Sequence, residues 1–119
     1  MTYNRYFSDE EIQCKCGCGF LKVVPTFFDK VNTVREIINH PLTVTSWCRC
    51  PNHNARVGGK STSSHLKGLA VDLHAFTNYI RYRILLAVGS VGFRGVGVGE
   101  DFIHLDDDPD KPPNRFWIY

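Results

Sequence analysis

The strongest constraint on this chain is a pair of short segments, Ser63-Ser64-His65-Leu66-Lys67-Gly68-Leu69-Ala70-Val71-Asp72 and Asp101-Phe102-Ile103-His104. Leu69, Val71 and Leu73 alternate with Ala70, Asp72 and His74, which predicts a strand carrying Asp72 and His74 on one face. Phe102 to Asp106 predicts a partner strand, with His104 on the face opposite Ile103 and Leu105. A fold that pairs these strands brings Asp72 and His104 together, and His65 joins them from the loop that leads into the first strand.

Imidazole nitrogen and carboxylate oxygen are ligands that zinc accepts, and a catalytic site uses three of them while leaving one position for water. His65, Asp72 and His104 form such a set. Asp101 is the candidate base: a carboxylate beside zinc-activated water can take its proton and pass it to a leaving amine. Strict alternation points Asp101 away from His104, so this role needs a bend or bulge, which Gly99 makes available. His74 and Asp106 share the faces of Asp72 and His104 and are candidates for supporting or substrate-side roles. His40 and His53 fit no ligand pattern.

The remaining elements predict an α+β fold in which two to three helices pack on a small, mainly antiparallel sheet around the zinc site. Ser8-Asp9-Glu10-Glu11 has the capping-box form and predicts a short helical turn. Pro25 opens a helix to about Asn39, with Phe27, Phe28, Val31, Val34, Ile37 and Ile38 on its apolar face. Leu42 to Ser46 predicts a short strand, Cys50 to Val57 a brief helix closed by Gly58 and Gly59, and Asn78 to Val88 a further helix ended by Gly89. The glycine-rich stretch from 89 to 99 predicts a strand with close backbone approaches. Phe116 to Tyr119 predicts a closing strand.

With 119 residues and 43% apolar content, one domain spanning 1–119 is expected, residues 1–20 forming a Cys-rich segment packed on it. A net charge of +2 gives no reason to expect nucleic acid as a partner. No stretch approaches a membrane span, and a monomer is expected. The start of the chain carries no apolar run of signal-peptide type, which predicts a protein made and held in the cytoplasm until something releases it. Cys14, Cys16, Cys18, Cys48 and Cys50 leave three readings open: a second, structural zinc, buried thiols, or disulfides formed after release. The absence of a Cys-x-x-Cys spacing counts against the first.

Ser63, His65, Gly68, Ala70 and Asp72, followed by Asp101 and His104, together resemble the motifs of the zinc D-Ala-D-Ala carboxypeptidases and L-alanyl-D-glutamate endopeptidases of peptidoglycan, including VanY-type enzymes and phage endolysins. Upstream, Ser46, Arg49, Asn54, Gly58 and Gly59 are similar to a further stretch of the same family, so the resemblance spans roughly residues 20 to 119. It implies the fold shared with the hedgehog signalling domain. It also implies His65, Asp72 and His104 as zinc ligands, Asp101 as catalytic base, Arg49 as the residue that steadies substrate, and Ser63 beside the site. Aspartate rather than glutamate at position 101 leans towards an endopeptidase. A phage or prophage lysis enzyme, stored in the host cytoplasm and let out to the wall, fits the absent export signal. The competing function is a zinc-holding module of the same fold that grips wall peptides without cutting them.

Overall fold

The structure is a computed structural model and describes residues 6–119. The first five residues of the proposed N-terminal segment, and with them the beginning of the stretch on which the signal-peptide expectation rests, lie outside the described residues. In chain order the elements are α1 (Asp9–Ile12), α2 (Pro25–Ile38), β1 (Val44–Ser46), α3 (Pro51–Arg56), a 3-10 turn (Ser64–Lys67), β2 (Ala70–His74), α4 (Asn78–Val91), β3 (Gly95–Val98), β4 (Phe102–Asp106) and β5 (Arg115–Ile118). The chain is α+β, with two long helices and two short ones among the described residues.

Local chemistry explains most of these boundaries. Ser8 Oγ accepts from the Glu11 backbone N–H while Glu11 Oε1 accepts from the Ser8 N–H, so the capping box forms as expected. Pro25 stands at the first position of α2, where its missing N–H costs nothing, and Asn39 ends the helix with a left-handed φ of 52°. The expected stop of α4 at Gly89 is corrected. The helix continues to Val91, and the Gly92 N–H bonds to the Val88 carbonyl with φ at +87°. Here the cap requirement falls on Gly92, and Gly89 is an ordinary helical residue.

The five strands form one sheet in the order β1-β2-β4-β3-β5. All neighbours are antiparallel except β3 and β5, which run parallel. Val71, Leu73, Ile103 and Leu105 are buried on one face, where Phe27, Phe28, Val31 and Val34 of α2 and Ile84 and Ala87 of α4 complete the core. Phe7 and Ile12 join that core from the N-terminal segment. Trp47 lies at its centre, with ring centroids 5.6 Å from Phe7, 5.8 Å from Phe27 and 6.1 Å from Phe28. The opposite sheet face carries Asp72, His104 and Asp106, so the site stands on a rigid floor. Among the described residues, no helix is long and apolar enough to cross a membrane.

Asp108 fastens the 3-10 turn to the loop after β4. Its fully buried carboxylate accepts from Ser64 Oγ at 2.8 Å, from Lys67 Nζ at 2.9 and 3.0 Å, and from the Asp110 N–H at 3.0 Å. Burial alone would raise the Asp108 pKa, but the hydrogen bonds from Lys67, Asp110 and Ser64 hold it below the ordinary carboxylate value. A depressed folded-state pKa contributes stability that is present above the unfolded pKa of about 3.9 and is lost as pH falls through the folded value. Asp108→Asn is therefore expected to lower the urea midpoint at pH 7, with the gap from the parent chain closing below about pH 4. A gap that stayed constant with pH would contradict this assignment.

Candidate metal centre

Cross-strand register brings two of the expected ligands together. Asp72 on β2 pairs directly with His104 on β4, and the ladder runs unbroken from Ala70 opposite Asp106 to His74 opposite Phe102. His104 Nδ1 lies 2.9 Å from Asp72 Oδ1. His65 arrives on the 3-10 turn, its Nε2 3.4 Å from Asp72 Oδ2, and the two imidazole centroids are 5.4 Å apart. One ligand atom from each of the three residues can be chosen so that all lie within 4.8 Å of one another.

The second nitrogen of each ring decides which atom faces a metal. His65 Nδ1 lies 2.6 Å from the carbonyl oxygen of Trp47, an acceptor only, so Nδ1 carries the proton and Nε2 is left with its lone pair. His104 Nε2 is 2.9 Å from Asp106 Oδ2, leaving Nδ1 on the Asp72 side. Both histidines thus have the outer hydrogen bond that fixes tautomer and ring orientation in metal sites. Asp106 is in turn held by Arg115 Nη2, and its burial, which would raise its pKa, is outweighed by His104 and Arg115, so it stays ionised. Asp72 is held ionised in the same way: burial pushes its pKa up, but the imidazoles of His104 and His65 beside it pull it well below the carboxylate range. Against burial, the two carboxylates beside His104 raise its pKa, so metal binding would displace a proton there. Two imidazole nitrogens and one carboxylate oxygen, converging and braced from behind, then fit a zinc ion.

Asp106→Asn keeps the shape of the side chain and removes the charge behind His104. Loss of such an outer partner is expected to weaken zinc affinity about 10- to 100-fold, and competition with a chromogenic chelator measures it. An unchanged affinity would mean that Asp106 serves only to anchor Arg115.

A family model described as peptidase M15 matches residues 5–106. The chain belongs to the peptidase M15 family. M15 peptidases are zinc-dependent, which agrees with the donor set formed by His65, Asp72 and His104. No curated protein matches the chain.

In this M15 family member the three converging residues lie in a cleft of about 500 Å³ whose lining includes Arg49, Lys60, Ser63, Lys111, Trp117 and Tyr119. Arg49 is half-buried and stretched across the wall: Nε donates to Ser46 Oγ at 3.1 Å, Nη1 to Asn54 Oδ1 at 3.0 Å, and Nη2 stands 3.9 Å from Asp72 Oδ2. Its own N–H donates to the His65 carbonyl at 3.0 Å, tying it to the ligand turn. Ser63 also lines the cleft, but its hydroxyl accepts from the His65 N–H at 3.3 Å, a capping bond that shapes the turn.

Asp101 is not brought to the ligands. It precedes β4, and it is neither among the cleft-lining residues nor in the converging donor set. Asp101 sits exposed on the β3–β4 turn beside Phe102, which lines the cleft, and its backbone carbonyl accepts from the Ala75 N–H at 2.8 Å. Arg81 clamps the same turn through the carbonyls of Gly99 and Glu100. His74 is also outside the site. It stacks on Phe76 at 5.1 Å and lines a separate small pocket with His40 and Thr43.

Arg115 and Trp117 are site residues that local pattern did not single out as such. They reach the cleft because β5 runs parallel to β3 with Arg115 opposite Gly95 and Trp117 opposite Gly97. A methyl group on Gly95 would lie 2.6 Å from Arg115 Nη2, and one on Gly97 would lie 2.5 Å from the Trp117 ring. The bare glycines let both side chains cross β3, which sets Trp117 with its ring centroid 5.4 Å from that of His104. The signal in the sequence was the Gly-Val-Gly-Val alternation itself, which leaves the site-facing side of β3 without side chains.

Proposed function

We propose that the chain is a zinc-dependent hydrolase of peptidoglycan stem peptides, of the L-alanyl-D-glutamate endopeptidase or D-Ala-D-Ala carboxypeptidase type, acting on the wall as a phage or prophage lysis enzyme. The observation that carries this reading is the meeting of the three-ligand set with a basic cleft wall. Arg49, Lys60 and Lys111 line the same cleft as His65, Asp72 and His104. Wall stem peptides are short and rich in carboxylates, so a cleft with this charge suits them.

In this mechanism Arg49 binds the substrate's carboxylate or carbonyl through its planar guanidinium, already pre-set by Ser46 and Asn54. Zinc, when bound, supplies Lewis-acid polarisation of the scissile carbonyl and lowers the pKa of water towards about 7. Asp101 accepts the proton of the attacking water and returns it to the departing amine. Asp101 adjoins Phe102 of the cleft lining in the chain, and catalytic hydrogen bonds commonly tighten only in the substrate complex.

Asp101→Asn is the test. The variant is expected to keep its zinc and fold while kcat on a muropeptide falls about 10²- to 10⁴-fold. Turnover at the parental rate would remove Asp101 from the mechanism. One observation favours a second reading, a non-catalytic module that grips wall peptides: a binder needs no base, and Asp101 stands outside the cleft. On that reading neither chain cleaves, and both bind muropeptide equally.

A further inference from the structure

A second cluster lies apart from His65, Asp72 and His104. The thiols of Cys14, Cys16, Cys18 and Cys50 converge, one sulfur from each lying within 4.8 Å of all the others. Three of the separations are 3.5 Å between Cys14 and Cys16, 3.7 Å between Cys14 and Cys50, and 3.7 Å between Cys16 and Cys50. A tetrahedral zinc with Zn–S bonds of about 2.3 Å requires neighbouring sulfurs about 3.8 Å apart. A disulfide would instead draw one pair to about 2.05 Å and leave the other two thiols crowded against it. The sulfur cage has the dimensions of a metal site.

From this geometry we infer that the chain holds a second, structural zinc on Cys14, Cys16, Cys18 and Cys50. Backbone donors already point at the sulfurs: Cys50 N–H to Cys14 Sγ at 3.3 Å, His53 N–H to Cys50 Sγ at 3.4 Å, and Phe20 N–H to Cys18 Sγ at 3.4 Å. Such bonds favour the thiolate, the form that binds metal. The loop geometry is built for it as well. Gly17 and Gly19 take φ of +86° and +84°, which folds three cysteines spaced two apart around one point, and the Cys14 N–H closes the loop on the Phe20 carbonyl at 2.8 Å.

The fifth cysteine is excluded by its own contacts. Cys48 is buried and its Sγ donates to the carbonyl of Ile12 at 3.0 Å, so it acts as a thiol with its proton in place. Four soft ligands in a closed tetrahedron leave no open position, which marks the site as structural rather than catalytic. What it would brace is specific. The ion would pin residues 14–18 to Cys50, the neighbour of Arg49, and the same segment carries the Trp47 carbonyl that orients His65. A zinc cage behind the cleft would hold both the substrate arginine and one catalytic ligand in register.

The test is zinc content and ligand type, which do not depend on the peptidase reading. Chain purified under reductant and dialysed against metal-free buffer is expected to carry two zincs. Cys16→Ser is expected to carry one, and Cys48→Ser two. In His65→Ala/His104→Ala the remaining zinc is expected to show an X-ray absorption shell of sulfur alone at about 2.3 Å. A Cys16→Ser chain with the parental zinc count, a double histidine variant whose folded chain holds no zinc on sulfur, or disulfides among these cysteines under reductant would each overturn the inference, whereas a parent chain with one zinc that Cys16→Ser removes would fault only the first site. If the double histidine variant fails to fold, the Cys16→Ser count in the otherwise native chain still decides.

Discussion

His65→Ala and His104→Ala are each expected to strip the catalytic zinc and bring hydrolysis to background. Both rings are buried, both have one nitrogen turned to Asp72, and both have the other committed to an outer partner. Removing either leaves two donors, and two donors do not hold zinc against water and buffer at the concentrations of an assay. Asp72→Asn is the informative companion. It keeps the size of the side chain, yet it removes the charge that balances the cation and that holds both imidazoles in place. Zinc per chain and turnover on a muropeptide are measured together. Full zinc retention in any of the three variants would mean that the ligand set is wrong.

The largest stability effect is expected at Trp47. Its ring is buried against Phe7, Phe27 and Phe28, which come from the N-terminal segment and α2, while the chain around it carries the site. Trp47→Ala opens a cavity at that junction and is expected to cost about 3–5 kcal/mol in urea unfolding. That is a large share of the stability of a domain this size, about 5–15 kcal/mol in total. Trp47→Phe keeps an aromatic ring in the site and is expected to cost less. The Trp47 carbonyl holds His65 Nδ1, so the alanine variant is also expected to bind zinc more weakly before it unfolds. An alanine variant with parental stability would contradict the placement of Trp47 at the centre of the core.

What was legible in the sequence was whatever depends on short-range pattern. Alternation in β2 and β4 put Asp72 and His104 on faces that could meet, and their register pairs them directly. Ser8 with Glu11, and Pro25, marked helix starts through chemistry that acts within a few residues. Non-local pairing was not legible. Arg115 and Trp117 reach the site only because β5 lies parallel to β3 over bare glycines, a relation no local window contains. Asp101 illustrates the same limit from the other side. The spacing to His104 places the acid on the turn before β4, and whether it meets the ligands depends on the shape of that turn rather than on strand alternation. His74 follows alternation on paper, yet it lies at the end of its strand and turns to Phe76. Among the cysteines, spacing could not separate Cys48 from the other four, because that distinction is made by a carbonyl of Ile12.

On the proposed function, the three-ligand site cleaves wall peptides. The most direct measurement incubates the purified chain with defined muropeptides, before and after zinc removal by a chelator and again after zinc is restored, with mass spectrometry of the products. The expected result is one new pair of fragments, lost with the metal and regained with it, whose masses place the cut either between L-Ala and D-Glu or before the terminal D-Ala. Intact muropeptides in the presence of a chain that holds zinc on His65, Asp72 and His104 would contradict it.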